Sequence, residues 1–176
     1  LQSRLRQRAF GLFAGPGTGK TYVLCGAAKH YMNDPKKKYK VVYASTTQAL
    51  GMDPKKDWKR GKFGGTLAKA VGNDVFDIPT ILRGPQEKPI DKDSLSTDHM
   101  LVTTHEYLED LLPFMDENTI LIIDEHQELR NVHKAIQKGK GESRILKALE
   151  ASMKAGRVVF ASGSPIETPD QLFSLQ

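Results

Sequence analysis

The sequence is poor in cysteine and has no long apolar run. Cys25 is the only cysteine among 176 residues, which excludes a disulfide framework and indicates a reducing compartment. No apolar stretch approaches the roughly 18 residues that a membrane span needs, and no secretory signal opens the chain. We therefore expect a soluble intracellular protein without a membrane partner, and nothing in the sequence distinguishes cytoplasm from nucleus.

What is present is enough apolar surface for one domain and a moderate excess of basic charge. Apolar residues make up 39% of the chain, which suits a single compact domain. Lys and Arg number 26 against 21 acidic residues, a formal net charge of +5. This excess fits a polyanionic partner, but ordinary solubilising charge explains it equally well.

Short apolar runs alternate along the chain with helical patterns. Runs that are apolar throughout are typical of strands buried on both faces, and their alternation with helices favours βαβ units. We therefore predict an α/β domain with a mostly parallel central sheet and helices on both faces. The predicted strands are residues 11–14, 41–45, 78–82, 100–103, 120–124 and 158–162, and the predicted helices are residues 20–32, 65–71, 105–112, 143–154 and 169–175.

A glycine-rich loop separates the first predicted strand from the first predicted helix. Residues 14–21, AGPGTGKT, match the phosphate loop G-x-x-x-x-G-K-[ST] except that Ala14 replaces its first glycine. Glycines let backbone amides approach an anion closely, and the helix N-terminus also favours negative charge. We predict that Lys20 reaches the β- and γ-phosphates of ATP and that Thr21 holds Mg²⁺. The predicted nucleotide-binding residues are Gly15, Pro16, Gly17, Thr18, Gly19, Lys20 and Thr21.

A phosphate loop also needs a carboxylate for the metal, and one follows a buried strand. The apolar residues 120–123 lead into Asp124 and Glu125, at the strand end where ligands bind in open α/β sheets. Asp124 is predicted to hold the magnesium, and Glu125 to orient and deprotonate the attacking water. In a chain without a phosphate loop, two such carboxylates would be an ordinary strand exit.

Several segments resemble a known family. DEHQELRN, residues 124–131, resembles the second motif of superfamily 2 helicases, particularly the Swi/Snf-type DNA translocases. VVFASGSPIETPDQLFSLQ resembles the third motif of that family, and MLVTTHEYLEDLL and VVYASTTQAL resemble its strands and loops that face nucleic acid. These segments occur in the family's order over almost the whole chain.

The resemblance implies the first RecA-like lobe of an ATP-dependent nucleic-acid motor, a helicase or a double-stranded DNA translocase, over residues 1–176. The second lobe and its arginine fingers are then absent from this chain. ATP and Mg²⁺ are the implied cofactors. The implied partners are the second RecA-like lobe and nucleic acid, with duplex DNA favoured and RNA possible.

The resemblance also assigns residues beyond the phosphate loop. It adds Gln127 to the catalytic set of Lys20, Asp124 and Glu125, although the related DExH proteins carry histidine at that place. It implies coupling between nucleotide and nucleic acid through the turn Ser162, Gly163 and Ser164. The implied contacts with the nucleic-acid backbone, whose alternative role is helix capping, are Ser45, Thr46, Thr47, Thr103 and Thr104.

Two other functions remain open from the sequence. The loop GPGTGKT is typical of AAA-type ATPases, so an AAA-type or other P-loop ATPase acting on protein is one alternative. The other is a nucleotide-dependent binding module without turnover. TTHEYL and SGSP on either side of DEHQ favour the motor. No adenine-reading glutamine is evident before the loop, which leaves the base selectivity undecided.

Overall fold

The described residues form a sheet of six parallel strands at the centre of the fold. The computed structural model describes residues 8–46, 80–82, 95–125 and 144–163. In the order β1-β6-β5-β2-β4-β3, every neighbouring pair of strands is parallel, which confirms the predicted α/β class. The strands are β1 (Ala9–Phe13), β2 (Lys40–Ser45), β3 (Thr80–Leu82), β4 (Met100–Thr104), β5 (Thr119–Ile123) and β6 (Arg157–Ser162).

Three α-helices lie among the described residues, and each has a counterpart in the sequence prediction. Helix α1 (Lys20–Met32) has the predicted bounds. The predicted helix 105–112 begins as a 3₁₀ turn (His105–Tyr107) and continues as the short helix α2 (Leu108–Leu111). Helix α3 (Arg144–Lys154) lies within the predicted helix 143–154, whose first residue is outside the described residues. The predicted helices 65–71 and 169–175 lie outside the described residues.

The core forms two layers, one on each face of the sheet. Successive side chains of a strand point to opposite faces, so β2 contributes Tyr43 to one layer and Val42 to the other. The first layer packs against the buried face of α1, which includes Leu24 and Cys25, and the second packs against α2 and α3. The middle strands β4 and β5 are buried along their whole length, because helices cover both faces. None of the described helices has the length and apolarity needed to cross a membrane.

Strand β1 departs from the expected burial. Its apolar run, residues 11–14, predicts a strand covered on both faces, but Phe13 is 43% exposed, and Phe10, which precedes the run, is 56% exposed. Among the described strands β1 pairs only with β6 and forms an edge of the sheet. The prediction of burial on both faces is therefore wrong for β1, since an edge strand has fewer elements over it.

The parallel register brings the carboxyl ends of the strands to one edge. Phe13 pairs with Ser162 at the ends of β1 and β6. Ala44 of β2 lies opposite Ile123, the last residue of β5. The segments that leave these strands therefore begin side by side, and they include the glycine-rich loop and Asp124.

Candidate nucleotide-binding site

The glycine-rich loop turns sharply between β1 and α1. The N–H of Ala14 donates to the carbonyl of Ser162 over 3.2 Å, so the loop starts against the end of β6. Gly17 and Gly19 have positive φ angles of 76° and 84°, a left-handed conformation that side chains with a Cβ rarely adopt. The Thr18 hydroxyl donates to the carbonyl of Gly15 over 2.7 Å. The loop is thus a built turn whose backbone faces solvent from Gly15 to Thr18.

Lys20 folds back over this loop from the first position of α1. Its Nζ donates to the carbonyls of Ala14 and Gly15, at 2.9 and 3.1 Å. No side chain among the described residues caps the N-terminus of α1, and no acidic residue lies in its first turn. This helix end therefore keeps its positive partial charge, and together with the ammonium group it makes an anion-binding environment.

Asp124 occupies a buried position immediately after β5, and only 6% of its surface is exposed. The Tyr43 hydroxyl donates to its Oδ2 over 2.5 Å, and the N–H of Glu125 donates to its Oδ1 over 3.0 Å. Burial raises the pKa of Asp124 above the ordinary value; the Tyr43 bond opposes this rise, and the Glu125 charge adds to it. The charge of Lys20 also favours the ionised form.

Glu125 has an unusual backbone conformation for a residue with a side chain. Its φ is 54°, a left-handed conformation that costs about 1–3 kcal/mol outside glycine. The turn brings its carboxylate toward the end of β6: a Cβ placed on Gly163 would lie 4.0 Å from Glu125 Oε2 and 3.4 Å from Lys20 Nζ. The structure therefore gathers Lys20, Glu125 and Gly163 around one space at the carboxyl edge.

His105 and Tyr43 also belong to this arrangement, although no sequence motif identifies either residue. His105 is buried, and its Nε2 lies 2.9 Å from the backbone carbonyl of Asp124. A carbonyl oxygen can only accept, so Nε2 carries the hydrogen. The only sequence signal for Tyr43 is a phenol in the apolar run VVYAS, and for His105 a histidine directly after a buried strand.

The hydroxyl residues predicted to contact nucleic acid lie at the ends of β2 and β4. Ser45 and Thr104 are register partners there. Both are buried, and neither hydroxyl has a hydrogen-bond partner within the described ranges. Thr104 precedes the 3₁₀ turn at the N-cap position, but its side chain makes no cap hydrogen bond. Thr103 is buried in β4, and Thr46 is partly exposed after β2.

Three predicted site residues, Thr47, Gln127 and Ser164, lie outside the described residues. Ser162, the last residue of β6, is buried.

The oxygen ligands at this site fit a metal ion that is bound together with phosphate groups. No group of three or more His, Cys, Asp or Glu side chains in the described part of the chain could hold a metal ion. The Thr21 hydroxyl at the start of α1 and the Asp124 carboxylate provide two oxygens beside the anion-binding loop. Mg²⁺ prefers this situation, because it keeps several waters and binds one or two protein oxygens together with phosphate oxygens.

Comparison with known families decides the assignment. Residues 4–172 match the model of the DEAD/DEAH box helicases. The chain belongs to the DEAD/DEAH box helicase family. This confirms the resemblance to superfamily 2 helicases. No curated protein is similar enough to count as a match.

A solved structure confirms the RecA-like fold of this helicase-family domain. The Sulfolobus solfataricus SWI2/SNF2 ATPase core in complex with dsDNA superimposes with a TM-score of 0.63 at 17% sequence identity. The match covers 99% of this chain and 32% of that chain. The helicase-family domain therefore spans about a third of the length of this larger ATPase core.

We predict that Asp124→Asn gains stability relative to the parent as pH rises. Burial raises the folded-state pKa of Asp124, so the parent loses stability as pH climbs from the unfolded-state pKa through the folded-state pKa. The asparagine variant does not titrate there. Thermal unfolding in magnesium-free buffer should show a difference in Tm, variant minus parent, that grows more positive from about pH 3 to about pH 7.

Asp116→Asn is the matched control, for which the difference in Tm between variant and parent should change with pH in the opposite direction. Burial acts to raise the pKa of Asp116, but hydrogen bonds from Lys40 and the N–H of Asn118 lower it overall. The ionised Asp116 therefore stabilises the fold above its unfolded-state pKa, and its variant should fall behind the parent as pH rises. A flat or falling difference for Asp124→Asn would contradict the burial argument.

Proposed function

We propose that this helicase-family domain is the ATP-binding lobe of a nucleic-acid motor, and that it binds Mg-ATP at the carboxyl edge of its sheet. The observation that carries the proposal is the meeting of Lys20, Asp124, Glu125 and Gly163 from three separate elements. The Lys20 ammonium group suits a phosphate and the Asp124 carboxylate suits a metal ion. The Glu125 carboxylate lies beside them. Membership of the DEAD/DEAH box family supports ATP as the nucleotide.

Each group has a proposed role that its chemistry supports. The exposed loop backbone from Gly15 to Thr18 and the N-terminus of α1 would receive the phosphates. Lys20, whose ammonium group lies over the loop carbonyls, would transfer its hydrogen bonds to the β- and γ-phosphates. Thr21 and Asp124 would hold Mg²⁺, which neutralises charge on the phosphates when it is bound.

Glu125 is the proposed group that orients and deprotonates the attacking water. Its left-handed backbone carries the carboxylate away from the line of β5 and toward Gly163. Strained backbone at such a position is typical of active sites. Gln127 and the turn from Ser162 to Ser164 would couple the γ-phosphate to the nucleic-acid contacts, as the family resemblance implies.

We also propose that the domain, residues 1–176, acts with a second RecA-like lobe. In phosphoryl transfer an arginine finger contributes about 10³–10⁵ in rate, and the family resemblance places that arginine on the second lobe. The helicase-family domain should therefore bind nucleotide well and hydrolyse it slowly by itself.

The proposed nucleic-acid contacts lie along the ends of β2 and β4. The hydroxyls of Ser45 and Thr104 are buried and lack partners within the described ranges, and an unsatisfied buried polar group costs about 1–3 kcal/mol. A backbone phosphate is a strong acceptor that would satisfy such a donor. Thr46, Thr47 and Thr103 complete the proposed set. The net charge of +5 supports a polyanionic ligand.

Duplex DNA is the proposed substrate, because the sequence motifs resemble the Swi/Snf-type translocases most closely. The SWI2/SNF2 ATPase core with a similar fold was itself solved with dsDNA. RNA is the alternative substrate, and direct comparison of the two duplexes distinguishes them.

We predict that Lys20→Ala weakens binding of Mg-ATP by about 10- to 100-fold, since a hydrogen bond to a charged group contributes about 1.5–3 kcal/mol. Titration with a fluorescent ATP analogue measures the loss. Lys29→Ala, on the same helix but one turn from its C-terminus, is the matched control and should bind normally. Near-parental affinity in Lys20→Ala would exclude the glycine-rich loop as the phosphate site.

Glu125→Gln is the companion variant for turnover. It should keep nucleotide affinity and lose about 10²–10⁴ in hydrolysis rate in the two-lobed protein. Unchanged turnover would remove Glu125 as the base. If the parent itself binds ATP but never hydrolyses it with both lobes present, the domain is a nucleotide-dependent binding module.

We predict that Thr104→Val weakens binding to duplex DNA without lowering Tm. Valine replaces a buried hydroxyl that has no partner in the described structure, so the fold loses no hydrogen bond while a phosphate loses a donor. Fluorescence anisotropy with labelled duplex DNA and duplex RNA measures affinity. The control is Thr119→Val, at the amino end of β5, which loses two hydrogen bonds with Asp116 and should still bind both duplexes normally. Unchanged affinity for both duplexes would exclude the ends of β2 and β4 as the contact surface.

A further inference from the structure

Tyr43 is a buried phenol at the centre of the sheet, outside the segments that resemble catalytic motifs. It is 1% exposed and is one of the largest fully buried side chains. Its hydroxyl donates to Asp124 Oδ2 over 2.5 Å. A buried tyrosine hydroxyl usually finds a hydrogen-bond partner, and most side-chain hydrogen bonds go to the backbone or to water. In Tyr43 the partner is the carboxylate proposed to hold the metal.

The register of the sheet explains why this contact forms. Tyr43 of β2 lies opposite Ile122 of β5, and Asp124 is two residues beyond Ile122. Because side chains two residues apart point to the same face of a sheet, Tyr43 and Asp124 share one face. Helix α1 covers that face, and Cys25 packs in the same core layer.

The hydroxyl of Tyr43 also interacts with the first turn of α1. Burial and the nearby Asp124 raise the pKa of Tyr43 well above its ordinary value, and a side-chain hydrogen bond with Thr21 acts in the opposite direction. Thr21 is therefore close to the phenol whose hydroxyl donates to Asp124.

We propose that Tyr43 is a positioning residue for the metal site, and that its hydroxyl holds the Asp124 carboxylate in the orientation that binds the metal. The two proposed metal ligands come from different elements, α1 and the end of β5. Tyr43 belongs to a third element, β2, and its hydrogen bond fixes the orientation of Asp124 before nucleotide arrives. This inference rests on the proposed function of Thr21 and Asp124.

The carboxylate keeps room for a metal or its water while Tyr43 is bound. Its two oxygens offer about four acceptor positions, of which the Tyr43 hydroxyl and the N–H of Glu125 occupy two. Partners of this kind, one step removed from a metal, typically contribute 10- to 100-fold to metal affinity. The phenol therefore acts on the metal through the carboxylate rather than by touching the metal.

The test is Tyr43→Phe, which keeps the buried ring and removes only the hydroxyl. Affinity for ADP is measured by calorimetry with EDTA and with increasing Mg²⁺, so that no turnover is involved. We expect the affinity without metal to match the parent and the tightening by Mg²⁺ to fall about tenfold or more. Tyr39→Phe, in the aromatic pair with Tyr31, is the matched control and should keep the full magnesium effect.

A second measurement shows whether the effect passes through Asp124. In the Asp124→Asn background, Tyr43→Phe should change the magnesium dependence no further, because the oriented carboxylate is already gone. Thermal unfolding of each variant, together with the metal-free ADP affinity, establishes that the compared proteins are folded. An equal loss in both backgrounds would overturn the proposed route.

The remaining outcomes separate this inference from the function on which it rests. If Mg²⁺ tightens ADP binding equally or more strongly in Tyr43→Phe, Tyr43 does not position the metal ligand, and the inference fails alone. If the parent binds ADP with no magnesium effect, or does not bind it, the proposed nucleotide site fails and the inference fails with it.

Discussion

The hydrogen-bonded position of the Asp124 carboxylate is the constraint on which the candidate site depends. The group is buried at the end of β5, and burial of a carboxylate is unfavourable unless hydrogen bonds satisfy it. Tyr43 and the N–H of Glu125 satisfy its two oxygens, and His105 holds the carbonyl of the same residue. Residues that belong to or follow β2, β4 and β5 therefore define where this negative charge lies. A ligand that binds the Asp124 carboxylate therefore contacts a group whose position is fixed by the strands in the middle of the sheet.

Strand β6 links this group to the phosphate loop. It lies between β1 and β5, so its end reaches the space between the loop and the two carboxylates. The absence of a side chain on Gly163 keeps that space open beside Lys20 Nζ. Glu125 meets the same space through a left-handed turn. A displacement at the end of β6 would therefore affect the phosphate loop and the proposed base together. A nucleic-acid motor requires such coupling between its parts.

Local sequence patterns predict the middle of this fold and indicate the glycine-rich loop and Asp124 as the candidate site, because both depend on short-range chemistry. The step from glycines to an apolar helical pattern predicts α1 (Lys20–Met32) at its observed bounds. An apolar run does not say which strand lies at an edge, so the exposure of Phe10 and Phe13 on β1 could not be predicted. The contacts of Tyr43 and His105 with Asp124 depend on which strands are neighbours and on their register. Neither the strand order nor the register can be read from the local sequence.

The proposed nucleotide site places the phosphates on the glycine-rich loop and the metal between Thr21 and Asp124. A crystal structure of the chain grown with magnesium and a non-hydrolysable ATP analogue is the decisive test. We expect phosphate density over residues 15–21, contacts from Lys20 Nζ to the terminal phosphates, and a metal bound on the side of Thr21 and Asp124. Phosphates bound elsewhere, or a metal that leaves both side chains without a direct or water-mediated contact, would exclude this site.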